Sequence, residues 1–101
     1  MLASRVASPF VVERFPLGRL LITPGAETKL AELSLNPLTF LARHASGDWG
    51  EVPRGWVQAN NASLFRVRPL HSVYPLGADD QLWIQTTADR SAALLLLPDE
   101  A

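Results

Sequence analysis

Helix-forming and strand-forming patterns occupy different parts of this chain, and this separation limits the fold more than any other feature. Helix-start signals lie in the first half, at Thr23-Pro24 and Asn36-Pro37, where a polar N-cap residue precedes proline at the first helical position. Short apolar segments separated by polar turns fill the second half. We therefore predict an α+β fold, with two to three short N-terminal helices packed on a small antiparallel sheet, a meander of three to four strands.

The predicted helices follow from caps and helical spacing. The third is the weakest, because Gly55 and the pair Asn60-Asn61 disfavour a helix interior. The predicted helices cover residues 24–33, 37–45 and 56–64, and the predicted strands cover residues 65–76, 81–87 and 92–97.

Alternation orients the second predicted strand. It places Leu82, Ile84 and Thr86 on one face and Trp83 and Gln85 on the other. We expect the helices to cover the face that carries Leu82 and Ile84. The last strand contains four consecutive leucines, which favour burial on both faces, either as a central strand or as one covered by the N-terminal segment.

The length of 101 residues fits a single domain. We expect residues 1–14 to be a flexible leader or an edge strand, and residues 15–101 to form one α+β domain. An apolar content of 48% with 19% charged residues is typical of a globular protein. The longest apolar stretch has the length of a strand, so the sequence predicts no membrane span.

Charge and cysteine content exclude several classes of function. Nine basic and ten acidic residues give a net charge of −1, so nucleic acid is a possible partner that the charge does not favour. The chain has no cysteine, which excludes disulfides and thiolate metal sites and fits a cytoplasmic protein. Neither His44 nor His71 has an acidic partner at i+4, and we predict no metal and no cofactor.

His44 is open to two interpretations. In the last turn of the second helix, an imidazolium would be favoured by the helix dipole and would bond free carbonyl groups. Alternatively, its position just before a loop bracketed by two glycines suits a general acid or base.

The loop Gly47-Asp48-Trp49-Gly50 also has two interpretations. Asp48 would bond neighbouring backbone amides while Trp49 fills the core, or both side chains would contact a ligand.

Polar residues of the predicted sheet form a second candidate cluster. Ser72 and Tyr74 share one face of their strand, and a hairpin would bring Thr86 close to them. Arg90 would offer a planar fork to a phosphate, with Asp89 beside it in the turn, or the two would only fasten that turn. The candidate catalytic residues are His44, Tyr74, Thr86 and Arg90, and the candidate binding residues are Asp48, Trp49, Asn60, Ser72, Asp89 and Arg90.

Most of the chain, from Phe15 to Glu100, resembles an uncharacterised family of small bacterial proteins often carried by plasmids and integrated elements. The resemblance rests on the elements Phe15-Pro16-Leu17-Gly18, Thr23-Pro24-Gly25-Ala26, Leu41 to His44, Ser46-Gly47-Asp48-Trp49-Gly50, Ser72 with Tyr74, Trp83-Ile84, Ala88-Asp89-Arg90-Ser91 and Leu96-Leu97-Pro98. The chain departs from the family pattern at residues 53–56 and at Thr87, where acidic residues are usual. The resemblance implies an association with mobile elements and no established activity.

Two functional hypotheses remain open. The first is a non-catalytic binding or accessory protein that contacts a protein or small ligand through the Gly-Asp-Trp-Gly loop and the Asp89-Arg90 turn. The second follows from the predicted order of elements, which resembles the barnase and RelE-like ribonucleases. In that metal-independent mechanism His44 is the base or acid, Arg90 holds the phosphate, and Tyr74 or Thr86 orients the scissile group.

Overall fold

The computed structural model describes residues 14–64, 66–77 and 79–101, so nearly all of the expected leader lies outside the described residues. It confirms the α+β class. Three helices and a four-stranded sheet are present in the described part of the chain, followed by a single turn of 3₁₀ helix, Pro98–Glu100. The elements are β1 Arg19–Ile22, α1 Pro24–Glu32, α2 Pro37–Ala45, α3 Arg54–Ser63, β2 Leu70–Pro75, β3 Gln81–Thr86 and β4 Ala92–Leu96.

The two predicted helix starts are present with their caps. The Thr23 hydroxyl accepts a hydrogen bond from the Ala26 amide at 3.1 Å, and the Asn36 side chain accepts one from the Leu38 amide at 2.9 Å. Each cap satisfies a backbone donor that would otherwise lack a partner in the first turn. Helix α3 begins after Pro53 without a side-chain cap, and it is longer than predicted.

The sheet has the strand order β1-β4-β3-β2. Strands β2, β3 and β4 form the predicted antiparallel meander. Strand β1 is an addition to that prediction: it precedes the helices and pairs parallel to β4, with Leu20 opposite Ala93. Strand β4 therefore lies between two neighbours, the first of the two arrangements that its leucines predicted.

The helices α1 and α2 cover one face of the sheet. Leu30 and Leu41 pack there against Leu82, Ile84 and Leu95, and all five side chains are buried. The prediction for the faces of β3 is confirmed by this core. Helix α3 lies instead against β2, and within the described residues no helix has the length and apolar character needed to cross a bilayer.

The outer edge of β2 is closed by groups from the preceding loop and from α3. The Val73 amide donates to the Trp49 carbonyl at 3.0 Å, and the Val73 carbonyl accepts from the Glu51 amide at 2.7 Å. The Asn60 carboxamide bonds both backbone groups of His71, at 2.7 and 3.1 Å. Because an open strand edge attracts other strands, this closure protects one side of the sheet.

Gly50 provides a test of this closure. It has φ +71°, and a Cβ at this position would lie 2.0 Å from the Val73 carbonyl oxygen. We expect Gly50→Ala to lower the free energy of unfolding by about 2 kcal/mol or more, because the loop must move away from β2.

Gly55→Ala is the matched control, since a Cβ there meets no atom within 4 Å and the residue lies in α3. This change should be neutral or stabilising by up to about 1 kcal/mol. Urea denaturation of both variants measures the difference, and equal stabilities would show that the loop is not held against β2.

Candidate functional site

His44 is fully buried and joins α2 to the sheet. Its Nδ1 atom lies 2.5 Å from the Ser72 hydroxyl of β2, and its Nε2 atom lies 2.7 Å from the Thr86 hydroxyl of β3. The rings of Phe15 and Trp49 pack edge-on to the imidazole, with centroids 5.3 and 5.5 Å away. Both ring nitrogens are therefore engaged inside the protein.

This environment keeps His44 uncharged. Burial, with smaller effects from His71 and Arg90, lowers the pKa of His44 to about 3. The prediction of an imidazolium bonding helix carbonyls is thus wrong, because α2 presents this side chain to the core rather than to the end of the helix. A neutral imidazole paired with two hydroxyls is a structural link between layers.

The His44 pKa predicts a pH dependence of stability. Below pH 6.5 the unfolded chain binds a proton at this histidine that the folded chain does not. The free energy of unfolding therefore falls by about 1.4 kcal/mol for each unit by which the pH is lowered. We expect a loss of roughly 2 kcal/mol from His44 between pH 7.5 and pH 5.0, a range above the ordinary titration of carboxylates. Chemical denaturation across this range measures the slope.

The variants His44→Gln and His71→Gln separate the two histidines. Burial also lowers the pKa of His71, so this side chain adds to the same slope. His44→Gln should remove the larger part of the slope, whereas His71→Gln should leave that part in place. An unchanged slope in His44→Gln would contradict a buried neutral His44.

The Gly-Asp-Trp-Gly loop is folded inward. Trp49 is 4% exposed, and its indole donates to the Asn61 side chain at 3.0 Å. Asp48 pairs with Arg43 at 2.7 Å, which lowers the pKa of the carboxyl group. The buried Tyr74 hydroxyl donates to the Asp48 carbonyl at 2.6 Å, and burial raises the pKa of this phenol. These contacts match the interpretation of the loop as a local structural element.

Arg90 is half-buried and is held by the backbone around it. Its guanidinium donates to the carbonyls of Ser63 and Arg68 at 2.5 and 2.6 Å, and to those of Thr87 and Ala88 at 3.1 and 3.0 Å. The guanidinium thus links the β3–β4 turn to the segment between α3 and β2. The residue has φ 63°, a left-handed conformation that is uncommon outside glycine.

A substitution at Arg90 distinguishes a structural role of the guanidinium from a role in binding phosphate. We expect Arg90→Lys to lower the free energy of unfolding by about 2 kcal/mol, because an ammonium group cannot reach several carbonyls in this planar arrangement. The exposed Arg68 serves as the control, and Arg68→Lys should change stability by less than about 0.5 kcal/mol. Equal thermal stability of wild type and Arg90→Lys would favour a guanidinium available to ligands.

The remaining candidates have local partners as well. Hydrogen bonds from Ser91, and a smaller effect from the Thr87 hydroxyl, lower the pKa of the exposed Asp89 carboxyl group. The Asn60 side chain is 2% exposed and holds the His71 backbone. The structure therefore places Ser72, Tyr74 and Thr86 on one face of the sheet, as predicted, and His44 of α2 bonds two of them there, but this face is the one that the helices cover.

The other face of the sheet carries an aromatic cluster that the candidate residues did not include. We call Trp56, His71 and Trp83 the aromatic face. The imidazole of His71 lies between the two indoles, with ring centroids 4.8 Å from Trp56 and 5.1 Å from Trp83. Trp56 projects from the first turn of α3 and is 49% exposed.

A groove of about 560 Å³ runs along the aromatic face. The amide side chains of Gln81 and Gln85 flank it from β3, and the Trp83 indole donates to Gln81 at 3.2 Å. Glu51 contributes a carboxylate at one end. The groove thus combines flat ring surfaces with hydrogen-bonding groups, which is the usual composition of a site for a small ligand.

One atom of the aromatic face stands out. His71 Nδ1 is a buried polar atom without a hydrogen-bond partner among the described residues. Such an atom costs about 1–3 kcal/mol, and native proteins leave few of them. In the described part of the chain, no three His, Asp or Glu side chains are close enough to hold a metal ion.

The sequence contained part of the signal for this face. Alternation in β3 placed Trp83 and Gln85 opposite the core. The position of Trp56 over His71 depends on how α3 packs against β2, and no local pattern reports that packing.

These features define the class of protein: a two-layer α+β domain with an inward-facing polar cluster and an aromatic face on the uncovered side of its sheet. No family model, no curated protein and no solved structure matches the chain. The resemblance to small plasmid-carried proteins stays an expectation from the sequence.

Proposed function

We propose that the protein is a non-catalytic binding protein whose ligand lies on the aromatic face. The observation that carries this proposal is the row of Trp56, His71 and Trp83 along an open groove. Aromatic rings at a surface offer large contact areas at a small cost in conformational entropy. This surface replaces the Gly-Asp-Trp-Gly loop and the Asp89-Arg90 turn as the location of binding.

The chemistry of the groove favours a small ligand with a ring whose face is apolar and whose edge is polar. The indole and imidazole groups would contact the face of such a ring, and the Gln81 and Gln85 amides would bond polar groups at its edge. In the tautomer that carries its proton on Nε2, a neutral His71 would accept a hydrogen bond at Nδ1, which would satisfy the unpaired atom. The net charge of −1 gives a long nucleic acid no general attraction.

Internal pairing of the catalytic candidates supports binding over the ribonuclease alternative. A general base must reach the proton that it removes, and both nitrogens of the fully buried His44 bond hydroxyl groups of the protein. The Arg90 guanidinium is bonded to backbone carbonyls that a phosphate would have to displace. A ribonuclease with these residues would require α2 to separate from the sheet.

The proposal also includes a cytoplasmic location and an association with mobile elements. A cytoplasmic location rests on the absence of cysteine from the sequence. An association with mobile elements, as an accessory protein, rests on the family resemblance alone.

The three tryptophan indoles allow a direct test by NMR. Two ring-bearing probes, the nucleoside adenosine and the sugar maltohexaose, are added separately. We expect at least one of them to shift the indole N–H signals of Trp56 and Trp83. The Trp49 indole is buried and bonded to Asn61, so its signal is the internal control and should not move.

Variants establish whether the contact is direct. Trp83→Leu should weaken binding of the active probe roughly tenfold, and Leu33→Ala, at an exposed position at the end of α1 that does not line the groove, should leave it unchanged. The proposal fails if neither probe moves the Trp56 and Trp83 signals, or if Trp49 moves as much as they do.

A further inference from the structure

The two edges of the sheet differ. The outer edge of β2 is closed by Asn60 and by the loop around Gly50. Strand β1 lies at the opposite end of the strand order, and among the described residues no segment pairs with its outer edge. An open edge with apolar side chains is a template for another strand.

Hydrogen bonds to β4 show which groups of β1 face outward. The amides of Arg19 and Thr23 donate to the Ser91 and Leu95 carbonyls, at 2.9 and 3.0 Å. Because backbone groups alternate along a strand, the amides and carbonyls of Leu20 and Ile22 point away from β4. Two residues of β1 therefore offer both a donor and an acceptor to a neighbour.

The surface beside this edge is apolar. Leu20 is 48% exposed and Leu38, at the start of α2, is 61% exposed. They border a shallow groove of about 180 Å³ whose lining contains no charged residue: Leu20, Leu21, Ile22, Pro37, Leu38, Leu41 and Leu95. Exposed apolar surface of this kind marks an interaction site.

We propose that β1 pairs antiparallel with β1 of a second copy of this chain, which joins the two sheets into one eight-stranded sheet. This inference does not depend on the proposed ligand. The outward amides and carbonyls of Leu20 and Ile22 fix the register, because they must pair with each other across the two copies. Leu20 of each copy then lies opposite Ile22 of the other, and Leu21 lies on the two-fold axis opposite Leu21 of the other copy. Leu38 of one copy then packs near Leu38 of the other on the helix side.

Charge complementarity selects a second copy as the partner. In this register Arg19 lies opposite Thr23 of the other copy, on the same face as Leu21. The Thr23 hydroxyl is bonded to the Glu100 carboxylate at 2.5 Å. Each Arg19 guanidinium therefore approaches the Glu100 carboxylate of the other copy, and the two-fold axis repeats this ion pair on both sides of an uncharged centre.

Cross-linking through a single introduced cysteine tests the register, since the chain has no cysteine of its own. Residues opposite each other in a non-hydrogen-bonded antiparallel pair have Cα atoms about 4.5 Å apart, within reach of a disulfide. We expect the full-length Leu21→Cys chain to form a covalent dimer under mild oxidation at least about tenfold faster than Leu33→Cys, a control at a similarly exposed leucine outside the groove. Equal rates would overturn the proposal.

The mass of the wild-type chain in solution tests the association itself. Size-exclusion chromatography with light scattering should give a dimer at about 200 µM. Leu38→Asp should weaken the dimer at least roughly tenfold, whereas Leu33→Asp should not. An aspartate in the first turn of α2 is compatible with the helix, so a folded monomer is the expected product. A wild-type chain that is monomeric at this concentration overturns the proposal.

Discussion

A neutral imidazole holds the helix layer in register with the sheet. His44 of α2 bonds Ser72 of β2 and Thr86 of β3, and all three side chains are fully or almost fully buried. If α2 shifted by one turn, three buried polar groups would lose their partners, each at a cost of about 1–3 kcal/mol. Apolar contacts tolerate such shifts more easily, so this polar link gives the core its specificity.

That link also closes the helix-covered side of the sheet. The polar residues expected to form a site lie between α2 and the sheet, where their hydrogen bonds are already made within the protein. The opposite face has Trp83 and Gln85 at alternate positions, and Trp56 of α3 lines the groove beside them. A ligand can reach this face without disturbing the core.

Local signals made much of the fold readable from the sequence. The caps Thr23 and Asn36 act on amides two or three residues away, so their effect appears in the sequence itself. The parallel pairing of β1 with β4 joins segments about 70 residues apart in sequence, and no local pattern encodes it. The role of His44 was misjudged for the same reason, since its charge depends on distant residues that exclude water.

The two histidines show how burial assigns different roles to one residue type. His44 and His71 both have a lowered pKa because of burial, and they face opposite sides of the same sheet. Both nitrogens of His44 are paired, so this ring completes the structure and has no capacity left for a ligand. His71 Nδ1 is unpaired among the described residues, and the half-exposed Trp56 indole packs against the same imidazole. An unsatisfied nitrogen beside a groove is a cost that a suitable hydrogen-bonding group of a ligand would remove, and the proposal of a ligand at His71 rests on this atom.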